Sequence, residues 1–239
     1  MTVTRSAGPH YRIEAADHAA HLFHVTLTVP RPQAEQRLSL PTWIPGSYLV
    51  REFARHLQKL SARQDGKPVV IHQLDKATWQ VDCVPSSPLV LNYEVYAFDN
   101  SVRTAWLDSE RGFFNGTSLC LRVHGQAQEP HELELVAPRA YPHWEAATGL
   151  EPLKTGKRGF GSYLAADYDE LADCPVEMGP FFSGSRPVAA SQCGKARGAT
   201  SSSSCGSCAW PWTRRHRLVP LKKPRWASSQ AVRTELSKA

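Results

Sequence analysis

No apolar run of signal-peptide length opens this 239-residue chain, which begins Met-Thr-Val-Thr-Arg-Ser-Ala-Gly. Export through a cleaved leader is therefore not expected. No stretch approaches the roughly 18–20 apolar residues that span a bilayer, so no membrane partner is expected and the cytoplasm is the expected location. Internal repeats are lacking too, which argues against a solenoid. Cysteine is sparse and irregularly placed. Cys83, Cys120 and Cys174 are scattered, and in a reducing compartment they are expected to be thiols, not bridges. Asn115-Gly116-Thr117 forms a glycosylation triplet, but without secretion it signals only a turn.

Acidic residues are almost absent from one end. Residues 183–239 hold 11 Lys and Arg against the single acid Glu235, whereas residues 1–182 hold 17 basic and 21 acidic residues. The chain reads as an acidic body of residues 1–182 with a basic tail of residues 183–239. The tail has 11 Ser and only six Ile, Leu and Val. It cannot bury enough apolar surface to offset the entropy of ordering, and disorder is expected. Its mix of Ser, Arg, Cys, Trp and Pro resembles a coding frame read out of register. Cys205-Gly206-Ser207-Cys208 has metal-ligand spacing, with Cys193 and His216 as companions, but a second pair at standard spacing is lacking and zinc is not expected there. Arg214-Arg215-His216-Arg217 and Lys222-Lys223 would give salt-sensitive, sequence-blind contact with polyanions, so no specific nucleic acid is expected.

The body reads as strands. Phe23, Val25, Leu27 and Val29 alternate with polar residues, as do Leu89, Leu91, Tyr93, Val95 and Ala97; a period of two marks a strand with one buried face. Leu119, Leu121 and Val123 alternate with Cys120 and Arg122, and Leu133 and Leu135 with Glu132 and Glu134. Asp65-Gly66 predicts a hairpin turn, because both central positions of the favoured turn need positive φ. Short helices are expected only near Leu49–His56 and Ala165–Leu171. The fold class expected is all-β, an antiparallel β-sandwich with one or two short helices, followed by a disordered tail.

Three segments carry a more specific signal. The first runs Pro41-Thr42-Trp43-Ile44-Pro45-Gly46-Ser47-Tyr48-Leu49-Val50-Arg51-Glu52-Phe53-Ala54-Arg55. The second runs from Tyr93-Glu94-Val95-Tyr96-Ala97-Phe98-Asp99 through Trp106-Leu107-Asp108 to Arg111-Gly112-Phe113-Phe114-Asn115-Gly116-Thr117. The third is Tyr168-Asp169-Glu170-Leu171 followed by Cys174-Pro175-Val176-Glu177-Met178-Gly179. In this order and spacing they resemble the N-terminal domain of the glycyl aminopeptidase family, metallopeptidase family sixty-one, over roughly residues 10–182. The resemblance implies an N-terminal β-domain ahead of a thermolysin-like catalytic domain and, usually, a PDZ domain. It also implies zinc in the intact enzymes, held by a His-Glu-x-x-His helix and a downstream Glu. Here His131-Glu132 is followed by Leu133-Glu134-Leu135, so the fifth position is Leu and no cofactor is expected in this chain. The expectation is a non-catalytic domain cut off before its catalytic partner, meeting peptide only in the intact enzyme.

Seven residues are candidates for the substrate cleft or the domain interface: Trp43, Tyr48, Arg51, Arg111, Phe113, Phe114 and Asn115. The structural alternative for the first three is that Trp43 and Tyr48 pack the core, Pro45-Gly46 turns and Arg51 pairs with an acid. Phe113 and Phe114 cannot both face one core if extended, so one of them is expected at the surface. His18, His21 and His24 read as surface histidines, and Asp108 and Glu110 as solvated charges. A competing function is a free-standing β-sandwich module binding peptide or carbohydrate through Trp43, Trp79 and Trp106.

Overall fold

The computed structural model describes residues 8–44 and 48–181. The expectations for Pro45-Gly46, for the basic tail and for its cysteines lie outside the described residues. In chain order the strands are β1 (His10–Asp17), β2 (Leu22–Val29), β3 (Glu35–Ser39), β4 (Leu57–Gln64), β5 (Lys67–Val69), β6 (Ile71–Gln73), β7 (Thr78–Asp82), β8 (Leu89–Tyr96), β9 (Ala105–Leu107) and β10 (Gly112–Phe114). They continue as β11 (Arg122–Val123), β12 (His131–Val136), β13 (Glu145–Thr148), β14 (Glu151–Thr155), β15 (Gly161–Ala165) and β16 (Val176–Gly179). Two short helices, α1 (Gly116–Leu119) and α2 (Tyr168–Asp173), and a 3₁₀ turn at Phe53–His56 complete the described elements.

The largest sheet has the order β14-β15-β12-β1-β2-β8-β4-β5. Its pairs are antiparallel except β1 with β12, which run parallel. Two four-stranded sheets, β13-β16-β10-β9 and β11-β3-β7-β6, contribute inward residues to the same core as the large sheet. The fold is all-β and sandwich-like, as expected.

Alternation sets the register. Phe23, Val25, Leu27 and Val29 are fully buried, each stabilising by about 1.5–3 kcal/mol. A one-residue slip of β2 would turn all four to solvent. On the opposite face Thr26 donates to Asn92, Lys59 pairs with Glu94, and His10 and Arg12 meet Glu134. The Asp65-Gly66 turn between β4 and β5 has φ of 49° and 76°, the geometry its sequence predicts. Lys59 also has positive φ, 54°, where the register of β4 against β8 shifts between Gln58 and Ser61; this bulge has no signal in the sequence.

The strand expected over Leu119–Val123 is mostly absent. Gly116–Leu119 is helical and only Arg122–Val123 pairs, with Ser39 and Leu38 of β3. The alternation fails because the segment runs through the interior: Leu119, Cys120 and Leu121 are all fully buried. Their carbonyls, left over at the end of a one-turn helix, need donors. Three phenols supply them: Tyr93 Oη donates to Leu119 O at 2.6 Å, Tyr168 Oη to Cys120 O at 2.8 Å and Tyr11 Oη to Leu121 O at 2.7 Å. Gly116 is required at the start of α1, since a Cβ there would lie 2.4 Å from Leu171 O.

α2 begins three residues later than predicted. Asp167 Oδ1 accepts from Glu170 N at 2.8 Å, and Glu170 reaches back to accept from Ala166 N at 2.6 Å, so two orphan donors at the helix start are satisfied. The helix expected at Leu49–His56 shrinks to the 3₁₀ turn.

Tyr93→Phe should destabilise the domain by about 1–3 kcal/mol, because it leaves a buried carbonyl without its donor. Gly116→Ala should cost about 1–3 kcal/mol through its backbone clash. Urea unfolding of each variant measures both. His131 gives a pH prediction. Its ring is fully buried, lies 5.9 Å from each of the Tyr11 and Tyr168 rings, and shares a 2.7 Å Nδ1 hydrogen bond with Glu129 O. Burial holds its pKa below the ordinary 6.5, and burial lowers His18, His56 and His124 likewise. The unfolded chain then binds more protons as pH falls through the unfolded value, so this contribution is complete above about 6.5 and is lost below it. The urea midpoint should drop between about pH 7.5 and about pH 5.5, and His131→Gln should drop less.

Candidate functional site

Two connections frame a cleft. The first follows β3 and carries Trp43, Tyr48, Leu49, Val50 and Arg51 into the 3₁₀ turn. Arg51 N donates to Thr42 O at 2.6 Å, closing this loop, and Phe53 plugs it into the core. The second connects β8 to β9. Asp99 N donates to Ala105 O at 3.1 Å and Thr104 Oγ1 to Asp99 O at 2.9 Å. Asn115 stands at the start of α1 without capping it; its Nδ2 donates instead to Val102 O at 2.7 Å. Asn115 therefore holds the second loop in place.

Between the loops lies a cleft of about 300 Å³. Leu49, Val50 and Arg51 of the first loop and Asp99 and Thr104 of the second line it, together with Phe53 and His56. Beside it a chamber of about 10 Å³, also reached by Phe53, His56, Asp99 and Thr104, includes Ser118 in its wall. That is room for one water, and Ser118 Oγ is buried without a protein partner. The charges of the cleft are unevenly used. Glu52 pairs with Lys76 at 3.5 Å. Arg55 Nε donates to His56 Nε2 at 2.9 Å. Burial lowers the pKa of His56, helped by Arg55 and opposed by Asp99. Arg51 Nε is buried with no hydrogen-bond partner.

The structural alternative for Trp43 and Tyr48, packing in the core, does not occur: Trp43 is 53% exposed and Tyr48 fully exposed. Nor does Arg51 form an ion pair among the described residues. Both corrections have one cause, a loop that is anchored to the core through Ile44 and Phe53 and leaves the residues between them outside. The expectation that one of Phe113 and Phe114 is exposed is also overturned, at 8% and 1% exposure. Phe114 packs edge-on against Phe23 inside. Phe113 lies on the outer face of β10, where the Arg111 guanidinium, 5.2 Å from its ring centroid, covers it. Arg111 is fixed there by Glu177 through two hydrogen bonds of 2.5 and 3.1 Å, which raise its pKa.

Arg51 and Asn115 thus serve the cleft, whereas Arg111 and Phe113 belong to the neighbouring sheet face and Phe114 to the core. On that sheet face Trp106, register-paired with Phe113, stacks on Phe98 with centroids 4.4 Å apart, and Phe98 stacks on His21 at 3.9 Å. His18 packs edge-on to Tyr141 and Trp144. His18 and His21, expected at the surface, are therefore half-buried ring partners, because the β1–β2 turn folds onto neighbouring aromatics, whereas His24 lies half-buried within β2. Asp108 is not freely solvated: it accepts from Glu110 N, Arg111 N and Trp106 Nε1 at 2.7–2.9 Å. Sequence reasoning missed Asp99, His56 and Thr104. Asp99 stood inside a recognised segment, but only the fold brings it to the same cleft as Arg51.

Among the described residues no group of three or more His, Cys, Asp or Glu could hold a metal ion, and no helix is long and apolar enough to cross a membrane. The sole His-Glu pair, His131-Glu132, lies in strand β12.

These features define a β-rich domain with a small cleft between two loops. Residues 10–180 match the Peptidase M61 N-terminal domain, and the chain belongs to that family. It is similar to the structure of an aminopeptidase N family protein from Idiomarina loihiensis, with 43% identity over 72% of this chain and a TM-score of 0.70. The chain spans 29% of that protein's length. A mutant M1 zinc metallopeptidase from Deinococcus radiodurans bound to a Tyr-Ser-Ala substrate shares 11% identity over 73% of this chain and 42% of its own, with a TM-score of 0.44. The M1 zinc metallopeptidase from the same organism shares 16% identity over 74% and 43%, with a TM-score of 0.41. No curated protein compared with the chain matches it.

A double-mutant cycle with Arg111→Met and Glu177→Gln should give a coupling of about 0.5–1 kcal/mol, the range for a partly exposed pair. Urea unfolding of the four proteins measures it.

Proposed function

We propose that this chain is the non-catalytic N-terminal domain of a zinc metallo-aminopeptidase, bracing the catalytic domain and forming one wall of the substrate cleft. The parent activity, by family resemblance, is removal of N-terminal Gly or Ala from peptides. In this reading the chain is a fragment without turnover of its own and acts in the cytoplasm. Its partners are the catalytic domain and, through that domain, peptide.

One observation carries the reading beyond family membership. Tyr48, Leu49, Val50, Phe98 and Val102 are large apolar residues exposed on or beside the two loops that frame the cleft. Exposed apolar groups gathered in one place mark an interaction surface. Peptide hydrolysis in this family requires zinc, and no His-Glu-x-x-His occurs anywhere in the sequence, so the chemistry is assigned to another part of the enzyme.

The free-standing binding module loses its proposed aromatic strip. Trp79 is 7% exposed within β7, Trp106 lies on a different sheet and Trp43 on a loop.

The test is complementation. A form of the Idiomarina protein lacking the matching domain should be docked, and its cleavage of Gly- and Ala-terminated substrates increased, when the present chain is added. Val50→Asp with Val102→Asp should weaken docking at least about ten-fold, through loss of apolar burial. Turnover by the chain alone, or one zinc bound tightly per chain, would overturn the proposal.

A further inference from the structure

The two loops that frame the cleft carry a surplus of cations on an acidic body. Residues 48–56 and 97–104 hold Arg51, Arg55 and Arg103 against Glu52 and Asp99, whereas residues 1–182 as a whole hold 17 basic and 21 acidic residues. Glu52 is already taken up by Lys76, and half-buried Asp99 acts on His56. Arg55 is exposed and donates to His56 Nε2, which leaves its charge unbalanced. Arg103, next to Val102 on the second loop, is exposed as well. Neither arginine forms an ion pair among the described residues.

The same loops expose Tyr48, Val50 and Val102. Aromatic and Arg residues around an apolar centre are the composition of protein interfaces, from which Lys is depleted. The cleft of about 300 Å³ between the loops is concave and has room for a projecting side chain. A flat anionic lipid surface would leave it unfilled. A second copy of the chain fits poorly too, because a two-fold contact sets a patch against itself and would bring arginine to arginine. The position of the chain beyond the domain favours a third occupant. β16, the last described strand, lies in the sheet of β9, two strands away, which is about 10 Å at the spacing of paired strands. The family match ends at residue 180, so the domain that follows it in the family starts close to the second loop, which leads into β9.

We infer that the two loops receive the catalytic domain through a face that projects an apolar side chain into the cleft and flanks it with carboxylates, set against Arg55 and Arg103. The inference rests on the proposed function and names the chemistry of the partner's face. Charge pairs around an apolar contact fix its register and speed association, and salt screens those that stay exposed.

Calorimetric titration of the full chain into the Idiomarina protein lacking its matching domain tests this, at about 0.05 M and about 0.5 M salt. Arg55→Glu with Arg103→Glu should weaken docking at least about ten-fold at low salt and less than about three-fold at high salt, because screening removes the repulsion. Arg55→Lys with Arg103→Lys should stay within about three-fold of the wild type, since the charge is kept. Lys222→Glu with Lys223→Glu makes the same change of charge in the basic tail and should leave docking unchanged. Unfolding midpoints of all the variants should match the wild type. If reversing the two loop arginines costs no more than the reversal in the tail, or costs the same at both salt concentrations, the inference is overturned. It is overturned equally if the arginines control self-association of the chain, or its capture on phosphatidylserine vesicles, while docking is untouched. Docking that ignores the arginines would sink only this inference; a wild-type chain that does not dock would sink the proposed function and this inference with it.

Discussion

Three phenol hydroxyls donated to three consecutive carbonyls govern the way this domain is assembled. Tyr11, Tyr93 and Tyr168 come from β1, β8 and α2, far apart in sequence, and converge on Leu121, Leu119 and Cys120. Desolvation raises the pKa of all three phenols well above the usual value, so each remains a donor. Without them the carbonyls would sit in apolar surroundings with nothing to replace water, a cost of several kcal/mol if none re-paired. The Cys120 thiol sits among the same rings, and burial pushes its pKa up too. It is an inert core group.

This clamp explains why the loops around the cleft can be polar and exposed yet held in place. α1 is fixed at its end by the tyrosines and at its start by the close approach of Gly116 to Leu171 O. Asn115, just ahead of α1, then holds Val102 O, while buried Ala97, Thr104 and Ala105 tie the ends of the same loop to the core. The near wall rests on Phe53 and on the Arg51 N–H bond to Thr42 O. Neither wall depends on side-chain packing at its rim. The exposed side chains of Val50 and Val102 therefore face outward instead of being consumed by stability.

The frame of the domain was legible in the sequence because period-two alternation reports one buried face, and β2, β8 and β12 each have one. The same logic misled at Leu119–Val123, where both faces are covered and alternation has no physical meaning. It misled again at Phe113–Phe114. The rule that neighbours in a strand face opposite ways held, but the conclusion that one must be exposed did not, because Arg111 and Glu177 cover Phe113 from outside. That cover pairs residues 66 positions apart, and no local pattern announces it. The family segments marked Arg51 and Asn115 as residues of interest, yet gave Asn115 no role, since its partner is a backbone carbonyl of a loop. Trp43 and Tyr48 are cleft candidates with core packing as the structural alternative, and a large aromatic ring suits either; the loop that carries them reaches the core through Ile44 and Phe53 and leaves both exposed.

The exposed apolar residues and the unsatisfied arginine occupy the same place, and their coincidence carries more weight than either alone. Scattered apolar side chains on a surface are ordinary, and a single orphaned donor can be met by water. A loop that exposes Tyr48, Leu49 and Val50 in succession and then buries the Nε of Arg51 forgoes both kinds of stabilisation within a few residues, while the clamp a short distance away satisfies even three adjacent carbonyls. Buried polar atoms without partners occur beside the clamp as well, at Ser118 and His131, so the orphaned arginine donor alone singles out nothing. The run of exposed apolar residues beside it is what marks the two loops as a surface that something from outside completes.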